Sequence, residues 1–485
     1  MKKQLLIILT LSIGVHFMFF GNPNETVFDE VHFGKFISAY YTGEYYFDIH
    51  PPLGKLAIAG FVKIVDFRPE YNFTEIGKEF PDKKYLALRL LPTIAGTLLP
   101  LIIYLLILEL GISHMAAFTG ALLIIFDNAL LTQSRLILLD PFLLLFGFTS
   151  LLFYFRYRRQ SQPQHSHILT LPIRSFMRRK ENMRMLWNSN LFLMAVFAGL
   201  AISIKWTGLS FVALPIAIES YEKFKTLLTN QSYDRFVSSV LNLAKFASFF
   251  FISLVIYFSI FALHFALLPK PGPGDAFMKP DFREQNIVKN IWNLNIEMYK
   301  SNQRITASHP YSSQFYTWPF MARPIYYWVK DTARIYFMGN PVIWWTSSAA
   351  VLAGLWLIAR EVWDMIKTKK LFTSRYSLVV ILLGGYWLNL LPFVGVKRVM
   401  FLYHYLTALI FAIIMLVYLI DKNLFDPNIR PSSVEAFRAN KNSRKIFTGI
   451  IIAAIAVFIF FAPLSYGLPL SSKAYGARVW FASWR

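Results

Sequence analysis

The stretch "LALRLLPTIAGTLLPLIIYLLIL" (residues 86–108) holds a single charged residue in 23. An α-helix rises about 1.5 Å per residue, so a helix of this length crosses the ~30 Å hydrocarbon core of a bilayer. Lipid forces the backbone groups of a spanning segment to pair internally, which favours helices. The stretch therefore predicts a transmembrane helix.

Apolar stretches of this kind recur along the whole chain. We find eleven, and those besides 86–108 are 4–20, 113–127, 138–155, 189–204, 206–219, 245–268, 341–359, 376–393, 399–420 and 446–464. The chain is 56% hydrophobic with a mean hydropathy of +0.45, which is more apolar surface than a soluble domain buries. We expect an all-α polytopic membrane protein, in which residues 1–485 form one integral-membrane domain.

The charge pattern orients this topology. The formal net charge is +22, and Lys and Arg concentrate in the loops 156–188 and 421–445. Basic loops favour the cytoplasmic side of a membrane and contact anionic lipid. We therefore expect a cytoplasmic N-terminus, a C-terminus on the outer face, two long outer loops at 21–84 and 269–340, and no nucleic-acid partner.

Two adjacent carboxylates, Asp29 and Glu30, follow the first apolar run. A partly desolvated carboxylate has a raised pKa and can act as a general base. Adjacent residues of a helix point about 100° apart, so one carboxylate is expected to do the chemistry while the other shapes the loop. The motif "HPPLGK" (50–55) comes next, with His50 and Lys55 flanking a rigid proline turn.

Basic residues lie at the predicted outer edge of several helices, where positive charge is normally depleted. Snorkelling of long side chains to the interface is one explanation. Convergence on an anionic, lipid-linked group explains the placement better. The candidate phosphate ligands are Arg89, Arg135, Lys205, Lys397 and Arg398.

The second outer loop is dense in aromatic and polar residues over 308–328. Aromatic rings with a few hydrogen-bonding groups suit a sugar or peptide surface, and an interfacial aromatic belt is the alternative. The candidate substrate-binding residues in this segment and in two other motifs are His309, Tyr311, Trp318, Arg323, Asp140 and His404.

The sequence contains no cysteine, which excludes disulfides and thiolate metal sites. It also shows no acidic cluster spaced for Mg²⁺ or Mn²⁺. Fixed Arg and Lys side chains can hold a departing phosphate in place of a metal ion. We therefore expect no metal and no cofactor.

Several segments resemble the protein O-mannosyltransferase family. Residues 28–55, "FDEVHFGKFISAYYTGEYYFDIHPPLGK", resemble its signature loop. The segments "SRLILLDPFLLLF" (134–146), "GLAISIKWTGL" (199–209), "SHPYSSQFYTWP" (308–319) and "FLYHYL" (401–406) follow in family order. The resemblance covers nearly the whole chain and implies a GT-C-type, inverting glycosyltransferase. Such an enzyme moves mannose from a polyprenyl or dolichyl phosphate to Ser or Thr hydroxyls of proteins.

The resemblance also assigns roles to residues. It makes Asp29 and Glu30 the catalytic pair, and Arg89 matches the family arginine of the second helix. Eukaryotic members carry a MIR domain in the second outer loop, for which 269–340 is too short. The resemblance is therefore to the short prokaryotic form of the family, and it implies a location in the plasma membrane. Two alternatives stay open: a related transferase with another lipid-phosphate sugar or a lipid acceptor, and a transporter.

Overall fold

The computed structural model describes residues 1–69, 71–161, 188–229, 246–304, 309–368, 376–423 and 441–485. Most of the predicted basic loops 156–188 and 421–445 lies outside these residues. The α-helices of the described residues, in chain order, are α1 Lys2–Phe17, α2 Glu30–Thr42, α3 Leu53–Val62, α4 Tyr85–Glu109, α5 His114–Ile125, α6 Asn128–Ser134, α7 Asp140–Ser161, α8 Ser189–Ile202, α9 Ser210–Thr229, α10 Phe250–Leu267, α11 Ile287–Arg304, α12 Pro341–Thr368, α13 Ser377–Leu388, α14 Leu406–Asp421, α15 Lys441–Tyr466 and α16 Ser472–Gly476.

Each of the eleven predicted apolar stretches contains a helix. Within the described residues, six helical segments are long and apolar enough to cross a membrane, or seven if the bent pair α5 and α6 crosses as one. The shorter helices fall below that length, since α1 has 16 residues and α8 has 14. The mostly helical, membrane-embedded class is confirmed, while the number of eleven spans stays a prediction.

The helix α14 lies at the centre of the bundle. Its sequence is apolar on all sides, and almost every side chain is buried, as expected of a helix without a polar face. Helices α12, α13 and α5 pack against it, and α7 packs against α4 and α8. By contrast, α15 leaves residues such as Ile452 and Ile459 exposed, which is the pattern of a lipid-facing helix.

The helical run is interrupted at Asp127, and α5 and α6 on either side of it are bent by 58°. The Asp127 carboxylate caps α6 by accepting a hydrogen bond from the Leu130 backbone N–H at 3.0 Å. Its second oxygen accepts from the Asn340 backbone N–H and, at 2.8 Å, from Trp344 Nε1. One buried side chain therefore stabilises the break and joins it to the start of α12.

The second long loop contains structure that the sequence did not predict. A hairpin pairs β1 (Ile325–Lys330) antiparallel with β2 (Ala333–Phe337), with a bulge between Tyr326 and Trp328. It is the one sheet in the described part of the chain. The long amphipathic helix α11 precedes it. Helix α11 and α2 of the first loop line the site described next, and the hairpin packs against that loop.

Candidate active site

A cavity of about 1020 Å³ lies between α2, the turn before α3, the segment 276–279, α11 and the segment before α14. Charged and polar groups from all five converge on it, while aromatic and aliphatic side chains form the remaining wall. This combination is typical of a ligand site. The polar lining residues are Asp29, His32, Asp48, His50, Lys279, Asn293, Glu297, Lys300, Ser301, Arg304, Arg398 and Tyr403.

Behind the cavity, Glu30 and Arg89 form a fully buried ion pair. Arg89 donates to both carboxylate oxygens, from Nε to Oε1 at 2.8 Å and from Nη2 to Oε2 at 2.7 Å. The same oxygens accept from the backbone N–H groups of Val27 and Ile137. Four hydrogen bonds satisfy the Glu30 carboxylate, which holds the start of α2 against α4.

The remaining N–H groups of Arg89 go to the first loop. Nη1 donates to the carbonyl oxygens of Gly21 and Pro23, and Nη2 donates to that of Glu25. All five N–H groups therefore have acceptors within the chain, and the side chain has no exposed surface. The prediction that Arg89 binds the donor phosphate is wrong, because no donor group is left for a ligand.

Arg135 is the second correction. Its guanidinium donates to the carbonyl oxygens of Met18 and Phe19, just beyond the end of α1, and stacks 4.4 Å from the Tyr466 ring centroid. The side chain is buried and does not line the cavity. Arg135 therefore joins the end of α1 to α15 instead of serving as a phosphate ligand.

Asp29 faces the cavity directly in front of α2 and is half-buried. It does not cap its own helix, and none of the described residues donates a hydrogen bond to its carboxylate. Burial raises the pKa of Asp29 to about 7, with Lys205 opposing the shift and the neighbouring carboxylates of Asp140 and Asp48 adding to it. An unpaired carboxylate that titrates near neutral pH is suited to general-base catalysis.

Lys205 lies immediately behind the cavity wall. Its ammonium donates to Asp140 Oδ1 at 2.8 Å and sits 5.3 Å from the ring centroid of Tyr403, which lines the cavity. The other Asp140 oxygen accepts from Gln133 Nε2, and Gln133 Oε1 accepts from the Tyr327 hydroxyl. This chain of hydrogen bonds holds the positive charge of Lys205 near Asp29. Asp140 therefore positions Lys205.

Arg398 reaches the cavity itself and is half-buried. Its Nη2 lies 3.3 Å from His404 Nε2, while His404 Nδ1 lies 2.8 Å from the Phe401 carbonyl oxygen. The tautomer with the proton on Nδ1 satisfies both contacts. Trp318 stacks on the His404 ring at 5.7 Å, which orients the histidine. Lys397 is exposed and does not line the cavity, so Arg398 is the member of the pair placed for a ligand.

The "HPPLGK" turn closes over Lys55. The Lys55 side chain is fully buried, pairs with Asp48 and donates to the His50 carbonyl oxygen at 2.9 Å. The His50 ring lines the cavity. Burial and the positive charges of Lys205 and Arg398 hold the pKa of His50 well below its usual value, so the ring is neutral. Lys55 therefore supports the turn, and His50 offers a neutral hydrogen-bonding group.

The aromatic segment 308–328, in which the sequence predicted substrate-binding residues, does not line the cavity. Trp318 is completely buried and donates to Ser313, so it is unavailable to a sugar. His309 lies behind the lining residue Phe401, with ring centroids 5.0 Å apart. Arg323 and Tyr311 lie farther out, where the guanidinium carbon sits 6.0 Å from the tyrosine ring centroid.

The β-hairpin braces the first loop instead. Tyr327 stacks on Phe28, the residue before Asp29, with ring centroids 3.9 Å apart. Trp328 Nε1 donates to Glu25 at 2.8 Å, and Lys330 bridges Glu25 to Glu79. These contacts hold the first loop at Glu25 and Phe28, just before the catalytic candidate, and again at Glu79.

Sequence reasoning missed the wall that α11 provides. This helix contributes Asn293, Glu297, Lys300, Ser301 and Arg304 to the cavity. A signal was present, because apolar residues recur at helical spacing over 287–304 while polar residues fill the positions between them. Among the described residues, no group of three His, Cys, Asp or Glu side chains could hold a metal ion.

Comparison with solved structures defines the class of protein. The chain superimposes on the S. cerevisiae protein O-mannosyltransferase Pmt1-Pmt2 complex bound to the sugar donor with a TM-score of 0.85, at 17% sequence identity, covering 100% of this chain and 92% of that one. The fold is therefore that of this solved protein O-mannosyltransferase chain. Its apolar helices of spanning length make the chain an integral membrane protein.

Sequence comparison then identifies the family. Residues 6–269 match the dolichyl-phosphate-mannose-protein mannosyltransferase family, and residues 287–484 match the C-terminal four-transmembrane region of protein-O-mannosyltransferase. The chain belongs to the dolichyl-phosphate-mannose-protein mannosyltransferase family, as the resemblance indicated.

Named relatives match the chain over part of their length. Dolichyl-phosphate-mannose--protein mannosyltransferase 4 of Candida albicans is 35% identical over 290 residues, which is 58% of this chain and 35% of that protein. Protein O-mannosyltransferase 1 of Drosophila melanogaster is 32% identical over 276 residues, 56% of this chain and 29% of that protein. The matched region thus spans about a third of each relative.

The buried ion pair generates the first prediction. Replacing Arg89 with Met leaves the Glu30 charge buried without a partner, which typically costs about 3–5 kcal/mol of folding free energy. We expect a clearly lower melting temperature for purified Arg89→Met in a thermal-unfolding scan. The matched control is Arg68→Met, since Arg68 makes an exposed pair with Asp66 at 3.5 Å and should change little. Equal melting temperatures for the two variants would contradict the assignment.

Proposed function

We propose that the chain transfers mannose from a polyprenyl or dolichyl phosphate to Ser or Thr hydroxyls of secreted or membrane proteins. The observation that carries the proposal is that Asp29 and Arg398 line the same cavity. Asp29 offers an unpaired carboxylate with a pKa of about 7, and Arg398 offers a guanidinium whose remaining N–H groups can bind a ligand. Family membership supports the substrate class, because the relatives are named for this donor.

The residues support a single displacement step. Asp29 takes the proton of the acceptor hydroxyl while that oxygen bonds to the anomeric carbon of the sugar. The bond from this carbon to the phosphate oxygen breaks, and the electron pair leaves with the lipid phosphate. Arg398 stabilises the phosphate charge directly, and Lys205 contributes a fixed positive potential from behind Tyr403. Attack opposite the leaving group inverts the anomeric configuration.

The position of Asp29 explains why the neighbouring acid does not compete. Glu30 is closed off by four hydrogen bonds, whereas Asp29 keeps a free carboxylate in a partly desolvated cavity. Desolvation strengthens its interaction with a hydroxyl proton. Because a guanidinium holds the phosphate charge, the proposal includes no metal ion and no cofactor.

The assay that tests the proposal combines purified chain, mannosyl-phosphate lipid and an unstructured peptide rich in Ser and Thr. We expect the peptide mass to increase by one hexose in the presence of EDTA as well as in its absence. Loss of transfer in EDTA with recovery in Mg²⁺ or Mn²⁺ would overturn the metal-independent mechanism. Transfer from a different lipid-phosphate sugar, or to a lipid instead of the peptide, would overturn the substrate assignment.

Asp29→Asn tests the base. The change keeps the shape and removes the basicity, so kcat should fall roughly 10²–10⁴-fold with little change in donor binding. In the parent chain, kcat/KM should rise with pH up to about 7 and then level off, because only deprotonated Asp29 accepts the proton.

The matched control for that variant is Asp66→Asn, since Asp66 is exposed and outside the cavity. Its turnover should equal that of the parent chain. Near-normal turnover of Asp29→Asn, or a loss of donor binding with kcat preserved, would exclude Asp29 as the base.

The proposal also places the chain in a prokaryotic plasma membrane, with the N-terminus cytoplasmic and the cavity on the outer face. The basic loops described above support this orientation. Because the chain has no cysteine, Lys397→Cys introduces a single thiol beside Arg398. We expect a membrane-impermeant maleimide to label it in intact cells, whereas Lys3→Cys should be labelled only after permeabilisation. The reverse pattern would refute this topology.

A further inference from the structure

The helix α11 presents three different faces along its 18 residues. One face is buried and includes Ile291, Leu294 and Met298. A second face lines the cavity with polar side chains, including Glu297 and Lys300. These two faces lie on adjoining sides of the helix when residues are placed at 100° intervals.

The third face of α11 is apolar and uncovered. Val288, Trp292 and Tyr299 fall within about 40° of one another on the helix surface, because they are spaced four and then seven residues apart. Their side chains are 70%, 65% and 59% exposed. A stripe of three large apolar residues on one helix face is unusual for a surface in contact with water.

The position of α11 along the neighbouring helix indicates what covers this stripe. The helical segment Phe246–Leu267 that contains α10 has 22 residues and is apolar enough to cross a membrane, and its length of about 33 Å matches the hydrocarbon core. The Tyr257 hydroxyl in its middle donates to Asn295 of α11. Tyr257 lies ten residues before the end at Leu267, or about 15 Å along the axis.

Apolar contacts place more of α11 at the same depth. Ile291, Leu294 and Met298 pack in one cluster with Tyr257 and Phe261 of α10. The helix α11 therefore lies alongside the half of α10 that ends at Leu267, not above it. A helix at this depth is surrounded by protein, by the cavity or by lipid.

The exposed side of α10 continues this lipid-facing surface. Phe251, Leu254 and Phe258 of α10 lie within about 60° of one another on the helix surface and are 44–68% exposed. A membrane-spanning helix with such a face contacts acyl chains there. The apolar stripe of α11 lies next to the same helix at the same depth, so acyl chains are the medium available to it.

We propose that α11 is embedded in the leaflet on the side where α10 ends, with Val288, Trp292 and Tyr299 in contact with lipid acyl chains. Its separate, polar face forms the wall of the cavity. Tryptophan and tyrosine are the aromatic residues that favour the membrane interface. The helix thus separates the aqueous cavity from the bilayer. This placement does not depend on the proposed activity, and its test does not measure transfer.

A nitroxide label at single cysteines tests the placement. Trp292→Cys and Tyr299→Cys are each labelled in the otherwise cysteine-free chain and reconstituted into vesicles of phosphatidylcholine and phosphatidylglycerol. Power saturation then compares collisions with O₂, which concentrates in hydrocarbon, and with a water-soluble nickel chelate. The ratio of O₂ to nickel accessibility should be severalfold higher at 292 and 299 than at the control Asn293→Cys on the cavity face.

The other occupants give distinct results. Nickel accessibility at 292 equal to that at 293 would place the stripe in water and overturn the proposal. Low accessibility to both reagents at 292 and 299 would show a protein surface, such as a second copy of the chain, and would also overturn it. If Trp292→Cys does not fold, Val288→Cys reports on the same stripe, since its side chain is the most exposed of the three.

Discussion

The bidentate pair of Glu30 and Arg89 is the interaction on which the site depends. An isolated charge in this apolar interior would be strongly destabilising, so each partner requires the other. Because Glu30 is the first residue of α2, the pair fixes the rotation of that helix. The preceding residue, Asp29, is then turned toward the cavity. Arg89 also binds three loop carbonyls, so a single side chain positions both the loop and the proposed base.

Charge matching explains why Asp29 stays unpaired among so many cations. Lys205 is bound to Asp140, and Lys55 is bound to Asp48, as Arg89 is to Glu30. Had one of these cations donated to Asp29, the carboxylate would be held ionised at low pKa and would be a weak base. Each of these three cations instead neutralises a different acid. Asp29 keeps the proton affinity that burial gives it.

The sequence predicted the elements better than their contacts. All eleven apolar stretches contain helices, because hydrophobic length is a property of the local sequence. The acidic pair was located, and the two carboxylates do face different environments. The local sequence did not distinguish Arg89, which is buried in an ion pair with Glu30, from Arg398, which reaches the cavity. That difference depends on residues far apart in the chain, such as Gly21 for Arg89 and His404 for Arg398.

The second loop shows how a segment can be predicted as functional for the wrong residues. Aromatic density drew attention to 308–328, where Trp318 and His309 are packed behind the cavity. The wall comes from α11, whose polar residues look ordinary in the sequence. The proposed transfer joins a lipid-linked donor to a polypeptide, so its site must face both hydrocarbon and water. A helix with one polar and one apolar exposed face meets both needs with the same 18 residues.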